Sequence, residues 1–257
     1  MTSVSLLPRG SRGRDLTVRC IFAGVEYAGK STLSSLLQQH YQQRQQRVHM
    51  DDHFTIPDNT LSPESRAAMV AFPDDVKERM QRMQIQYHIE VLQNYPNVVI
   101  SGWHLEEAVY SELYGDDPDS PYYLRYGYRT QRIYESMVLE TRLPDLVLVH
   151  VTASDESIRQ RMKSDPHEYQ IIREESIAAA KERFAEEIDR SLFTHKGWTI
   201  ELDTTDKTPE ESFDEFLLLS EPRLTVGEVA LRMAPVPDGE YEVRYEGGIR
   251  RMVPADS

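Results

Sequence analysis

Eight consecutive residues, Gly24, Val25, Glu26, Tyr27, Ala28, Gly29, Lys30 and Ser31, follow the pattern G-x-x-x-x-G-K-[ST]. Its chemistry is the capture of a polyphosphate. Glycines allow a turn tight enough for successive backbone N–H groups to converge on one point, and the helix that follows adds the positive end of its dipole. In that arrangement Lys30 reaches the β- and γ-phosphates and the hydroxyl of Ser31 ligates Mg²⁺, with Thr32 next in the first turn. A plain glycine turn before a helix is the structural alternative, and the flanks argue against it. Residues 16–23 (LTVRCIFA) read as a short apolar strand and residues 31–46 as a helix. Strand, glycine loop and helix is the context this chemistry needs, so the segment predicts a nucleotide site.

The elements that must position this loop alternate along the chain. Residues 47–50, 97–101, 145–151 and 198–202 are short runs rich in Val, Ile and Leu, separated by helical stretches. That alternation predicts a parallel sheet covered on both faces. A long helix opens at Pro73-Asp74-Asp75, and its Val76, Met80, Met83, Tyr87 and Val91 recur at helical spacing, which predicts core packing. Further helices are expected over 129–140 and 174–189. Residues 1–15 read as a polar tail containing Leu7-Pro8-Arg9-Gly10-Ser11, a protease-site-like linker. The main domain is expected over 16–220. Residues 221–257 read as an extension, with a helix over 225–233 and a β-hairpin of 241–245 and 249–253 around Glu246-Gly247-Gly248.

The chain has 257 residues and a net charge of −14, from 43 acidic and 29 basic side chains. A polyanion is repelled by that balance except at a local basic groove, so broad nucleic-acid binding is not expected. One basic pocket suffices for a nucleotide. No apolar run reaches the ~20 residues of a membrane span, and no secretory h-region is read at the N-terminus. Cys20 stands alone within the first predicted strand, where it reads as a buried small hydrophobe. A cytoplasmic location fits the absence of any disulfide framework. The eight histidines have no zinc-like spacing with cysteine.

The D-x-x-G and N-K-x-D segments of a GTPase switch are missing, and the fourth predicted strand ends in His150-Val151-Thr152 instead of a Walker B acid. Small-molecule and nucleotide kinases remain. Over about residues 16–215 the chain resembles the thymidylate kinase and deoxynucleoside kinase superfamily. IFAGVEYAGKSTL is similar to its first strand, loop and helix. Pro144-Asp145-Leu146 with LVLVHVTASDESIRQRM resembles its fourth strand and the helix leading to the lid, and ELDTTDKTPEE its fifth strand and adenine-flanking loop. The resemblance implies a P-loop α/β fold, three layers with a five-stranded parallel sheet, an ATP donor with Mg²⁺, and an arginine-bearing lid. Kinases of this kind are often dimers, so a homodimer is expected as an option. The Asp-Arg-Tyr of thymidylate kinases is replaced by Ser101-Gly102-Trp103-His104, which removes the usual hold on an acceptor phosphate.

Met50-Asp51-Asp52-His53-Phe54 resembles the Asp-Asp-Phe stretch of uridine and nicotinamide riboside kinases, where the first aspartate acts on the acceptor hydroxyl. An attacking hydroxyl must be oriented and must lose its proton, so Asp51 is assigned that role. Asp52 is its understudy or a ligand of Mg²⁺-bound water, and a solvated acidic turn is the alternative. Arg159, Arg161, Lys163 and Arg173 surround the loop 164–168. Arg161 and Arg173 match the lid arginines that neutralise the transferring phosphoryl group, with Arg159 next. Solvated i,i+4 pairing is the other reading. On the acceptor side, Trp103, His104, Glu106 and Glu107 lie just past the third strand, where α/β ligands collect. His104 or Glu107 is expected on an acceptor hydroxyl, with His53, Arg82 and Arg129 as further contacts. Tyr122, Tyr123, Tyr126 and Tyr128, with Arg125 and Arg129, either clamp a planar group or pack a long loop.

Together these residues predict an ATP-dependent phosphotransferase acting on a small, nucleoside-like hydroxyl acceptor. A monophosphate kinase using Arg82 or Arg129 is the first alternative. A nucleotide-dependent regulatory protein with little turnover is the second.

Overall fold

A computed structural model describes residues 19–44, 46–52, 61–95, 97–120, 140–143, 146–224, 233–236, 241–246 and 249–254. Five parallel strands form the central sheet in the order β2-β3-β1-β4-β5. They are β1 (Arg19–Ala23), β2 (His49–Asp52), β3 (Val98–Ser101), β4 (Val147–Thr152) and β5 (Thr199–Asp203). Every neighbouring pair is parallel. Parallel strands require crossovers, and these are helical: α1 (Lys30–Gln42), α2 (Pro63–Val70), α3 (Asp74–Asn94) and α4 (His104–Tyr114) precede β4. After β4 come α5 (Asp155–Ser164), a 3-10 turn at Glu174–Ser176, α6 (Ile177–Arg190) and the short α7 (Leu192–His195). Helix α8 (Pro209–Ser220) follows β5, opened by Thr208 and Glu211 in a capping box. Among the described residues no helix is long and apolar enough to cross a membrane.

The inner strands β1, β3 and β4 are buried on both faces, as the middle of a parallel sheet demands, while the edge strands β2 and β5 expose part of theirs. Cys20, Phe22, Val99, Val149 and Leu202 pack under α1 and α8 with Leu33, Leu37 and Phe216. On the opposite face Ile21, Ile100 and Leu148 meet Ile85, Ile89 and Leu92 of α3. A third apolar cluster joins Val25 and Tyr27 of the phosphate loop to Tyr110 and Tyr114 of α4 and to Phe184 of α6. The loop is therefore built into the core on one side and open on the other.

Helix α3 keeps only part of the expected packing stripe: Val91 is buried and Met80 half-buried, but the other three positions are exposed. Val76 is 40% exposed, Tyr87 47% and Met83 65%, while Ile85, His88, Ile89 and Leu92 are buried. Residues 85, 88, 89 and 92 form one face by the 3.6-residue period, and Met83 lies about 200° round the helix from Ile85. The helix carries apolar residues on two faces, and Ile21 and Ile100 of the sheet select the one with Ile85 and Ile89. The predicted strands shift by one to three residues. The hairpin forms as β6 (Tyr241–Glu246) and β7 (Ile249–Pro254), paired antiparallel from Tyr241 with Pro254 to Glu246 with Ile249. The expected helix over 129–140, the tyrosine-rich stretch and residues 1–15 and 225–232 lie wholly or almost wholly outside the described residues.

Candidate active site

The chain leaves β1 directly into the phosphate loop. Gly24 has φ 152°, and a Cβ there would stand 2.0 Å from the carbonyl oxygen of Val151 in β4. Only glycine passes that closely. Gly29, at φ 104°, caps α1 in a left-handed conformation. The first amide bonded within the helix is that of Leu33, to the Gly29 carbonyl. The N–H groups of Lys30, Ser31 and Thr32 consequently have no intrahelical acceptor, and no acidic residue sits in this first turn. They face an open cavity of about 310 Å³ lined also by Arg161, Thr204 and Lys207. Amide dipoles, a helix N-terminus and cations around one space make an anion site.

Lys30 curls back over the loop. Its Nζ donates to the carbonyls of Gly24 at 2.6 Å and Val25 at 3.2 Å. It also lies 3.3 Å from Oε1 of Glu106, the third residue of α4. The Ser31 hydroxyl is 3.5 Å from that of Ser101 at the end of β3, and these two hydroxyls are the oxygen donors that would hold a divalent cation here. Oxygen donors of this kind fit Mg²⁺, which keeps most of its own waters.

The other side chains of the loop, Glu26 and Tyr27, hold a strap of residues 165–172. Oε2 of Glu26 accepts the N–H groups of Ile171 and Ile172, both at 2.9 Å, and Oε1 lies 2.7 Å from Nδ1 of His167. The Tyr27 hydroxyl accepts the His167 amide at 2.9 Å and donates to Gln170 at 3.0 Å, with the two rings stacked at 4.1 Å. The hydrogen bond to Glu26 raises the His167 pKa despite partial burial, and burial raises that of Tyr27. Glu26 was expected among the phosphate-cradling residues; its backbone belongs to the loop, but its carboxylate fastens the strap.

Arg161 on α5 donates to the Tyr27 carbonyl and the Thr204 hydroxyl, both at 3.0 Å, and to the Thr204 carbonyl at 2.8 Å. It braces the phosphate loop against the segment after β5, and burial lowers its pKa. Arg159 pairs with Glu174 at 3.4 Å and with Glu156 at 3.8 Å. Arg173 is ion-paired to Asp117 and lies over the Tyr114 ring. Of the lid cations, only Arg161 lines the cavity.

On the acceptor side, Asp51 shares its sheet face with Ile100, its register partner, and so points towards α3. Its Oδ2 is 3.8 Å from Nε2 of His49 and 3.9 Å from that of His88. Burial, then Asp51, raises the pKa of the nearby Tyr87. Asp52 takes the register position beside Ser101. Arg82 is bound to Glu78 at 2.7 Å. His104 is buried 2.7 Å from Glu140, whose other oxygen accepts the Ser191 hydroxyl and the Leu192 amide. Burial works to raise the Glu140 pKa, but the His104 hydrogen bond and charge and these donors hold it below its ordinary value. Glu107 is fully buried, and so is Trp103, whose Nε1 has no hydrogen-bond partner among the described residues. His53 and Arg129 lie outside the described residues. Glu106 was placed by the sequence on the acceptor side but not beside Lys30, and His167, Thr204 and Lys207 are the site residues that motif reasoning did not select. Glu106 and Glu107 both fall in the first turn of α4, and nothing local tells which carboxylate faces Lys30.

No family model and no curated protein sequence matches the chain. Solved structures do. A thymidylate kinase from Candida albicans is similar at a TM-score of 0.54 and 15% identity, over 80% of this chain and 92% of that one. A deoxyadenosine kinase from M. mycoides, solved with bound dATP, gives 0.53 and 16%, over 79% and 98%. The same kinase with dCMP and dCDP gives 0.53 and 14%, over 78% and 96%. The chain therefore has the fold of the thymidylate and deoxynucleoside kinases, as its phosphate-loop, fourth-strand and fifth-strand segments led us to expect.

Proposed function

We propose that the protein is a phosphotransferase that passes the terminal phosphate of ATP to a hydroxyl of a small, nucleoside-like acceptor. The observation that carries the reading is the cavity in which the α1 N-terminus, Lys30 and Arg161 converge. The amides of residues 30–32 and Nζ of Lys30 bind the phosphates and stabilise charge that develops on the oxygens of the group in flight. Ser31, with Ser101 beside it, would hold Mg²⁺, which when bound neutralises charge shared between the phosphates. The strap of residues 165–172 is fastened to the phosphate loop through Glu26 and borders the cavity at Asp165 and His167.

A hydroxyl acceptor is favoured over a monophosphate by the charge around the β2 and β3 ends. Asp51, Glu106 and Glu107 gather there, and Arg82 is committed to Glu78. The test is ADP release from Mg·ATP across nucleosides, nucleoside monophosphates and polyols, with Lys30→Ala beside the wild type. Acceptor-stimulated release that Lys30→Ala abolishes is the expected outcome. Release that no acceptor stimulates, or that survives Lys30→Ala, refutes the reading.

A further inference from the structure

Glu26 brings a carboxylate into the phosphate loop, where it lines the cavity with Lys30 and Arg161. A fixed negative charge there opposes the anion that the loop amides invite. Its Oε2 is spent on the amides of Ile171 and Ile172, and its Oε1 on Nδ1 of His167 at 2.7 Å. The cations that could offset it are largely engaged. Lys30 lies 3.3 Å from Glu106 and Lys207 is paired with Glu215, while Arg159 and Arg173 pair with acids that do not line the cavity. His167 does line it. Stacking on Tyr27 at 4.1 Å, and the bond from its amide to the Tyr27 hydroxyl, hold the ring in place. An ionised carboxylate only accepts, so Nδ1 carries a proton and the ring's remaining chemistry lies at Nε2. Among the described residues Nε2 has no hydrogen-bond partner. In the neutral ring Nε2 presents a lone pair, which repels a phosphate oxygen; in the imidazolium it presents an N–H, which binds one. The hydrogen bond and charge of Glu26 favour the imidazolium, as does Asp165 on the strap, against partial burial and the charge of Lys30. Tyr27, the other titratable neighbour, is kept neutral by burial.

We propose that His167 binds the phosphates of the nucleotide through Nε2, and that its imidazolium cancels the charge that Glu26 brings to the loop. The proposal rests on the phosphotransferase reading and deepens it, giving the strap a charge on the donor phosphates that Arg159 and Arg173 do not supply. No covalent bond changes. A bound phosphate favours the imidazolium, so the ring holds its proton to a higher pH in the complex than in the free protein. By linkage, nucleotide affinity is then greatest where the ring is already charged in the free protein. It declines as pH rises from the free protein's raised value to the still higher one of the complex. Within that window each nucleotide that binds takes up a proton from solvent.

The experiment titrates wild type, His167→Gln and His167→Arg, each checked for an unchanged melting profile, with a fluorescent Mg·ATP analogue. The pH series starts below the ordinary histidine value of ~6.5 and runs past the point where the bound ring is neutral. Affinities are compared at each pH, so that ionisation of the nucleotide itself cancels. The His167 ring is followed by NMR in free and nucleotide-bound wild type. At the acid end His167→Gln should bind about 10-fold more weakly than wild type, the scale of one charge-assisted hydrogen bond. That gap should close at the alkaline end. His167→Arg should keep the affinity of acid wild type across the series. The ring should titrate about one pH unit higher in the complex than in the free protein, as a tenfold coupling requires. A ratio of His167→Gln to wild type that is flat with pH overturns the proposal. So does a His167→Arg variant as weak as His167→Gln, or a ring whose titration nucleotide leaves unmoved, either of which reduces His167 to a fastener of the strap. If wild type binds no analogue at any pH, the phosphotransferase reading fails and this proposal with it. That result is distinct from tight wild-type binding that His167→Gln leaves intact, which overturns the proposal alone.

Discussion

His167 binds a carboxylate of the phosphate loop through Nδ1 and stacks on the next residue of that loop. One side chain thus couples the strap to the phosphate loop, and its charge state is expected to set how firmly. The Glu26 hydrogen bond lifts its pKa above the ordinary ~6.5. A raised pKa contributes holding energy that is complete below the ordinary value and disappears as pH climbs through the raised one. The strap should therefore loosen as pH rises above the ordinary histidine range and through the raised value. Amide exchange of Ile171 and Ile172, corrected for the intrinsic pH dependence of exchange, is expected to quicken across that window in the nucleotide-free protein. In His167→Gln the step should vanish, although both amides still reach Glu26. Wild-type protection that is flat with pH would remove His167 from the strap's mechanism.

At the scale of elements, α3 decides a question that periodicity alone leaves open. Its two apolar faces satisfy the helical repeat equally, and only contact with Ile21 and Ile100 distinguishes them. Ile89→Ala should destabilise the fold by about 2–5 kcal/mol through lost transfer energy and the cavity left behind. Met83→Ala should stay within about 0.5 kcal/mol, as a surface change does. Urea denaturation of the two variants checks this, and equal losses would contradict the observed burial. The same contrast explains what the amino-acid order revealed. The phosphate loop was legible because Gly24, Gly29, Lys30 and Ser31 are the fixed positions of one motif written in eight adjacent residues. The strands were legible from short Val, Ile and Leu runs, and the hairpin from Gly247-Gly248. The meeting of Lys30 with Glu106, and of Tyr27 with Arg161, was not, because those pairs are brought together by the sheet order and leave no local pattern.

Over the whole molecule, the cavity beside the phosphate loop is a junction of three distant segments, the phosphate loop, α5 and the loop between β5 and α8. Arg161 ties them before any ligand arrives, through Tyr27 and Thr204, while the Thr204 hydroxyl also donates to the Ala28 carbonyl at 2.8 Å. An arginine that merely swung in with nucleotide would leave the free protein indifferent to its loss. Here Arg161→Ala removes three charge-assisted hydrogen bonds and strands carbonyls that are partly buried. Partial solvent access offsets some of that, so the expected loss is about 2 kcal/mol in the nucleotide-free state. Mg·ATP, binding only the folded form, should stabilise wild type by about 2.7 kcal/mol at a hundredfold excess over its Kd. In Arg161→Ala that increment should shrink at the same concentration, because the cavity wall it completes is no longer preformed. Urea titrations of both proteins, with and without Mg·ATP, separate the two roles. A variant as stable as wild type when free, and weaker only when nucleotide is present, would return Arg161 to the mobile lid.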